Sequence, residues 1–291
     1  MTTRPPRDLS RRRLLAALPA LAAAPLLGGC SRVQGVLADG AQSLGLADTR
    51  QTDRGFTSER MGGRETTWRV LEPTEHDGRL RAILYLHGKG GDHATALRRW
   101  VADDPLLHAR DDGPPPLALV TVDAGDDYYH PRADGTDAGA MIASELLPRM
   151  RDEAGIDVSV LGLAGFSMGG YGALLLASGW DAAASPTRTR IGAVSAADPA
   201  LWLDAGDSAP GAFDDREDFE AHDVFAPPRV AALEKLPVWI GWGDRGAFGT
   251  AAQRLQDELR CEGGVRPGEH DERFQKEVVG EQFDFLHRHL A

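Results

Sequence analysis

Five short apolar runs, each close to uninterrupted, recur between residues 81 and 244: RAILYLHG (81–88), LALVTVDAG (117–125), VSVLGLAG (158–165), RIGAVSAADP (190–199) and LPVWIGWGD (236–244). Between them lie stretches of helical period, HATALRRWVADDPLLHA, AGAMIASELLPRMRDEA, GGYGALLLASG and TAAQRLQDELRCEGG. A strand that is apolar throughout has to be covered on both faces, and parallel strands joined by helical crossovers achieve that cover. The pattern predicts an α/β fold, a mostly parallel, doubly wound sheet with helices on both faces. TTWRVLEP (66–73) alternates and adds a further strand. No internal repeat is present.

The 291 residues, 42% of them hydrophobic, suffice for one large domain with a substantial core. A formal charge of −12 argues against a general nucleic-acid binder, because such a field repels a polyanion.

The first 30 residues read differently. In SRRRLLAALPALAAAPLLGGC a basic region containing Arg11 and Arg12 precedes a leucine- and alanine-rich stretch and then small residues. That order is an export signal, and the apolar stretch, interrupted by Pro19 and Pro25, is too short for a membrane-spanning helix. SRRRLL resembles a twin-arginine signal and LGGC a bacterial lipobox, which implies a lipid on Cys30 and a protein held on the extracytoplasmic face of a membrane. The expected organisation is an export signal over 1–29, a lipid-anchored flexible tether over 30–55, and one α/β domain over 56–291. With Cys30 lipid-bearing, Cys261 has no disulfide partner, and its place among charges at a helix end makes it a structural residue.

Chemistry is concentrated at VLGLAGFSMGGYGALLLA (160–177), where a strand-type run meets a helix-type run across a GxSxG motif. A serine on such a sharp turn is pushed out at the top of the sheet, and the flanking Gly165 and Gly169 allow the backbones to approach. Ser167 is thus the candidate nucleophile, the alternative being a plain tight turn. A serine hydroxyl needs a base to take its proton and a carboxylate to orient that base. Asp244 follows the last apolar run and is the expected acid; Asp198, which ends an earlier run, is the other possibility. His270, in the loop RPGEHDERF, is the expected base. The oxyanion of a tetrahedral intermediate needs two backbone N–H donors, and Met168 and Lys89 are the candidates, the latter in the glycine-rich HGKGG loop.

His87 is expected to brace that loop. His87, Gly88, Tyr128 and Tyr129 are also the candidates for lining the substrate pocket. The loop DDYYHPRADGTD is expected to be tied down through Asp134 and Asp137. The acidic stretch 201–235 is either a partial lid or a solvated insertion. No metal-ligand spacing or cofactor motif is present: the histidines are scattered and GKGGDHAT lacks the Walker spacing.

Taken together, YLHGKGG, GFSMGGYGAL, GD after the late strand and GEHDERFQKEVVGEQFDFLHRHL resemble, in order and spacing, the α/β-hydrolase superfamily, and within it the serine esterases that include esterase D and the antigen 85 mycolyltransferases. The resemblance runs from about Thr66 to the C-terminus. It implies Ser167, Asp244 and His270 as nucleophile, acid and base, no cofactor, and a small-molecule, lipid or carbohydrate ester as substrate. Two departures are visible, Glu269 before His270 and DERF after it, where the group commonly has GGHD and a nearby aromatic residue. The function expected is carboxylic-ester hydrolysis through an acyl-enzyme, with acyl transfer by the same residues and a non-catalytic surface lipoprotein as alternatives.

Overall fold

The computed structural model describes residues 49–100 and 115–290. The expected export signal, Cys30 and the first part of the tether lie outside these residues. Eight strands form one sheet: β1 Thr49–Ser58, β2 Arg64–Pro73, β3 Arg81–Leu86, β4 Ala118–Val122, β5 Asp157–Phe166, β6 Arg190–Ala197, β7 Val238–Gly243 and β8 Glu262–Arg266, in the order β1-β2-β4-β3-β5-β6-β7-β8. β1 and β2 are antiparallel to their neighbours, and every pairing from β4 to β8 is parallel. This is the mostly parallel sheet that the apolar runs predicted, in the α/β-hydrolase arrangement that the family resemblance implied.

Alternation along β3 shows why its run is apolar throughout. Ala82, Leu84 and Leu86 join the core on one face and Ile83 and Tyr85 the core on the other. The first core is closed by α2 (Ala138–Met141, a wide π-turn Ile142–Leu146, and Leu147–Glu153), α3 (Met168–Gly179), α5 (Pro227–Leu233) and α6 (Gly249–Leu259). The second is closed by α1 (His93–Trp100) and α7 (Glu272–Leu290), the latter through Phe274, Val278, Phe283, Phe285, Leu286 and Leu290.

Two expectations are corrected, and one of two open alternatives is excluded. Residues 49–55, assigned to the tether, belong to the edge strand β1, where Arg50 pairs with Glu72 and Asp53 with Arg69 of β2. Its side chains are mostly polar, as suits an edge, and so gave no apolar run to read. The helix expected over 250–264 stops at Leu259 with Arg260 in the left-handed region, and CEGGVR turns into β8. Segment 201–235 is not a solvated insertion. It contains a 3₁₀ turn (Ala205–Asp207), α4 (Arg216–Ala221) and α5, and buries Leu201, Ala212, Phe219, Val224, Val230 and Leu233.

The chain reverses its direction of travel across the sheet between β3 and β5. In such sheets the crevice at the carboxyl ends of the strands beside that reversal is the natural ligand site. Removing the buried Phe283 ring from under the sheet is expected to cost about 3–5 kcal/mol, whereas Val265→Ala, at an exposed edge position, changes stability by less than about 0.5 kcal/mol. Urea unfolding of the two variants checks both values.

Candidate active site

β5 delivers Ser167 to that crevice. The residue has φ 58° and ψ −121°, a strained conformation for a residue with a side chain, and it ends the strand just before α3 begins. A Cβ on Gly169 would collide with the Leu86 carbonyl, and one on Gly165 with the Gly169 backbone. Glycine at both positions is therefore a packing requirement of the turn.

His270 completes the next contacts. Its Nε2 lies 2.8 Å from Ser167 Oγ and its Nδ1 2.8 Å from an Asp198 carboxylate oxygen. With the proton on Nδ1 donated to Asp198, Nε2 is free to accept from the serine hydroxyl. The imidazole is wedged between the Phe166 ring, stacked at 4.8 Å, and the Phe248 ring, edge-on at 4.8 Å.

The acid is the principal correction: Asp198 faces the imidazole, and Asp244 does not. Parallel pairing places Phe166 opposite Ala197, so the residues that follow, Ser167 and Asp198, leave adjacent strands side by side. Asp244 leaves β7, one strand further out, and its carboxylate accepts from the Gly268 N–H (2.9 Å) and from Arg245 (3.1 Å). Asp198 has a fully buried side chain, whereas that of Asp244 is 46% exposed. The sequence carried a signal for Asp198, since it ends the run RIGAVSAAD, but the order of strands in the sheet was needed to use it.

The HGKGG loop is held as expected of a brace. His87 accepts from the Ala124 N–H through Nε2 (3.0 Å) and donates from Nδ1 to the Gly88 carbonyl (2.9 Å), a pattern that needs the neutral ring. Burial lowers its pKa and keeps it neutral. A Cβ on Gly88 would stand 3.6 Å from that of Ser167, so the loop backbone runs beside the serine. The Lys89 ammonium is engaged elsewhere, on the Pro210 carbonyl at 2.9 Å.

His87, Tyr128 and Tyr129 are almost wholly buried, so they stand behind the site; Tyr129 also borders a separate cavity, with His130, Gly139 and Leu176. Tyr129 donates its hydroxyl to the His87 carbonyl at 2.9 Å, and Tyr128 packs among Tyr171, Trp202 and Phe213. The loop that carries them is not tied down through Asp134 and Asp137. Those carboxylates accept from Thr136 and Ala140 nearby. The ties run to segment 201–235: Arg132 to Asp214 (2.8 Å), and His130 to the Ala212 carbonyl (3.0 Å). His130, Asp218 and His222 are the only trio with a metal-ligand composition among the described residues. The two rings stack at 4.3 Å, and the Asp218 carboxylate lies 2.8 Å from His222 Nδ1 and 3.5 Å from His130 Nδ1, contacts that fasten α4.

Cys261 is partly buried and burial pushes its thiol up to about 12. It packs against the first core, and among the described residues no base is hydrogen-bonded to its thiol.

With this geometry in place, comparison with known proteins is informative. The model of the family described as "Putative esterase" matches residues 58–287. Among solved structures, a ferulic acid esterase superposes with a TM-score of 0.68 at 18% identity, covering 83% of this chain and 98% of the other. The fluorophosphonate-binding serine hydrolase FphF of Staphylococcus aureus gives 0.60 at 14% identity over 82% and 98%. An S-formylglutathione hydrolase from Agrobacterium tumefaciens gives 0.60 at 18% over 84% and 96%. These likenesses establish the shared fold. No curated protein sequence matches the chain.

Two outcomes follow from the contacts above. Iodoacetamide at pH 8 is expected to leave Cys261 of the native protein unmodified and to alkylate it after denaturation, as read by intact mass. Tyr129→Phe, which removes the donor from the buried His87 carbonyl, is expected to lower stability by about 1–3 kcal/mol, measured by urea unfolding.

Proposed function

The chain belongs to this esterase family, and from that premise we propose that it is a serine hydrolase that cleaves carboxylic esters through an acyl-enzyme. The observation that supports this reading best is the single imidazole of His270 spanning Ser167 Oγ and Asp198 with 2.8 Å on each side. Ser167 Oγ attacks the ester carbonyl carbon as its proton passes to His270 Nε2. Asp198 stabilises the imidazolium that results; its carboxylate is buried, and among the described residues its second oxygen has no hydrogen-bond partner, so the imidazole is its principal counter-charge.

The negative oxygen of the tetrahedral intermediate is received by two N–H groups. Met168 opens α3, so its N–H has no acceptor within the helix. Lys89 supplies the other. In the trans peptide that joins Gly88 to Lys89, carbonyl and N–H point in opposite directions. The Gly88 carbonyl is turned into its own loop, onto His87 Nδ1 and the Gly91 N–H. The Lys89 N–H is thereby directed out of the loop. Collapse of the intermediate breaks the bond to the alkoxy oxygen, which takes the proton from His270 and leaves as the alcohol. Water then repeats the sequence on the acyl-serine and releases the acid.

The proposal extends to location. The order SRRRLL, apolar stretch, LGGC supports export followed by lipid attachment at Cys30, so that the enzyme meets its esters outside the cytoplasm.

Ser167→Ala is expected to abolish hydrolysis of p-nitrophenyl acetate and labelling by a fluorophosphonate probe, with the fold retained by circular dichroism. Asp198→Asn is expected to lower kcat by about three to four orders of magnitude, as loss of the orienting carboxylate does in comparable triads. Unchanged turnover in Ser167→Ala defeats the proposal.

A further inference from the structure

The carboxylate left over from the acid assignment is the most informative group outside the three reacting residues. We infer that Asp244 is a positioning residue, which sets the reach of His270 by clamping the loop that carries it; the inference rests on the reading of Ser167, His270 and Asp198 as the catalytic set.

Three hydrogen bonds join the end of β7 to residues 266–268. The Asp244 N–H donates to the Arg266 carbonyl (2.9 Å), the Arg245 N–H to the Gly268 carbonyl (3.0 Å), and the Gly268 N–H to Asp244 Oδ1 (2.9 Å). The two segments approach so closely that a Cβ on Gly243 would lie 2.6 Å from the Gly268 carbonyl oxygen. On the far side of His270, the Asp271 carboxylate accepts from the Phe274 N–H at the start of α7 (2.9 Å). The histidine thus sits on a span of a few residues, fixed at one end by the Asp244 clamp and at the other by a helix cap.

The contacts also say how Asp244 acts. Its Oδ1 accepts from a backbone amide, a task that an uncharged carbonyl oxygen performs equally well. Its charge is half exposed and shared with Arg245, itself 3.5 Å from Glu269, so it contributes little to the field at the imidazole. Asp198 is the opposite case, buried and bonded to the ring itself. One carboxylate supplies charge and the other supplies an acceptor. Gly246, two residues beyond Asp244, belongs to the same device: a Cβ there would press to 3.0 Å on the Asp198 oxygen that faces His270.

This distinction is measurable, because asparagine keeps the acceptor and discards the charge. For p-nitrophenyl acetate, Asp244→Ala is expected to lower kcat about 10–100-fold, the scale on which a displaced catalytic group acts, with KM and the thermal midpoint little changed. Asp244→Asn is expected to restore most of that loss, whereas Asp198→Asn is not tolerated. The rate of fluorophosphonate labelling at Ser167 should follow kcat through the series. If Asp244→Ala does not yield folded protein, Asp244→Ser, whose hydroxyl is one atom too short to reach Gly268, takes its place. Wild-type kcat in the truncated variant overturns the inference, and so does an asparagine variant as impaired as the alanine one. A wild-type protein that neither hydrolyses the ester nor takes the probe overturns instead the underlying reading of the site.

Discussion

Where β5 turns into α3 the backbone has no room for a side-chain carbon. Gly169 rides directly on the Leu86 carbonyl at the end of β3, and Gly165 lies under Gly169. That contact fixes how close helix and sheet can come, and with it the conformation of Ser167. The serine holds φ 58° because the chain must reverse within one residue between two elements already in contact. Everything else at the crevice is arranged around a hydroxyl that cannot move far.

Strain is distributed accordingly. Tyr128, Tyr129 and Asp198 share with Ser167 a positive φ, and all four belong to loops at the carboxyl ends of β4, β5 and β6. Each is over-determined by contacts: Tyr129 through the His87 carbonyl, Asp198 through its N–H on Gly241 at 2.6 Å and its carboxylate on His270. A residue in a sparsely populated conformation persists only where its neighbours enforce it, and such residues gather at functional sites. The segment 201–235 adds a further layer. Its fastenings on Lys89, His130, Arg132 and Tyr171 all reach loops or helices that carry or back the candidate site.

Two carboxylates competed in the sequence for one role, and they divide it by environment. A buried acid with a single donor is suited to hold an imidazolium. A half-exposed acid bonded to a backbone amide is suited to hold a loop. Both follow apolar runs, Asp198 after RIGAVSAA and Asp244 after LPVWIGWG, and nothing local tells them apart. The decision came from register, which sets Ala197 beside Phe166 and leaves β7 one strand away from β5.

The sequence by itself determined the elements whose signal is local. Apolar runs with helical spacers specified a parallel sheet covered on both faces, and the glycines around Ser167 specified the turn. His270 stood out as the histidine in a loop just before the terminal helix. Edge strands β1 and β8 were invisible, because a polar strand and a glycine-rich one carry no period of burial. Only the tertiary structure decided which carboxylate meets the imidazole, which tyrosines stand behind the site and where segment 201–235 is fastened. Those are contacts between residues 42 to 121 positions apart, from His87 and Tyr129 to Lys89 and Pro210. They depend on the order of strands in the sheet, and that order is a property of the whole packed chain that no short stretch contains.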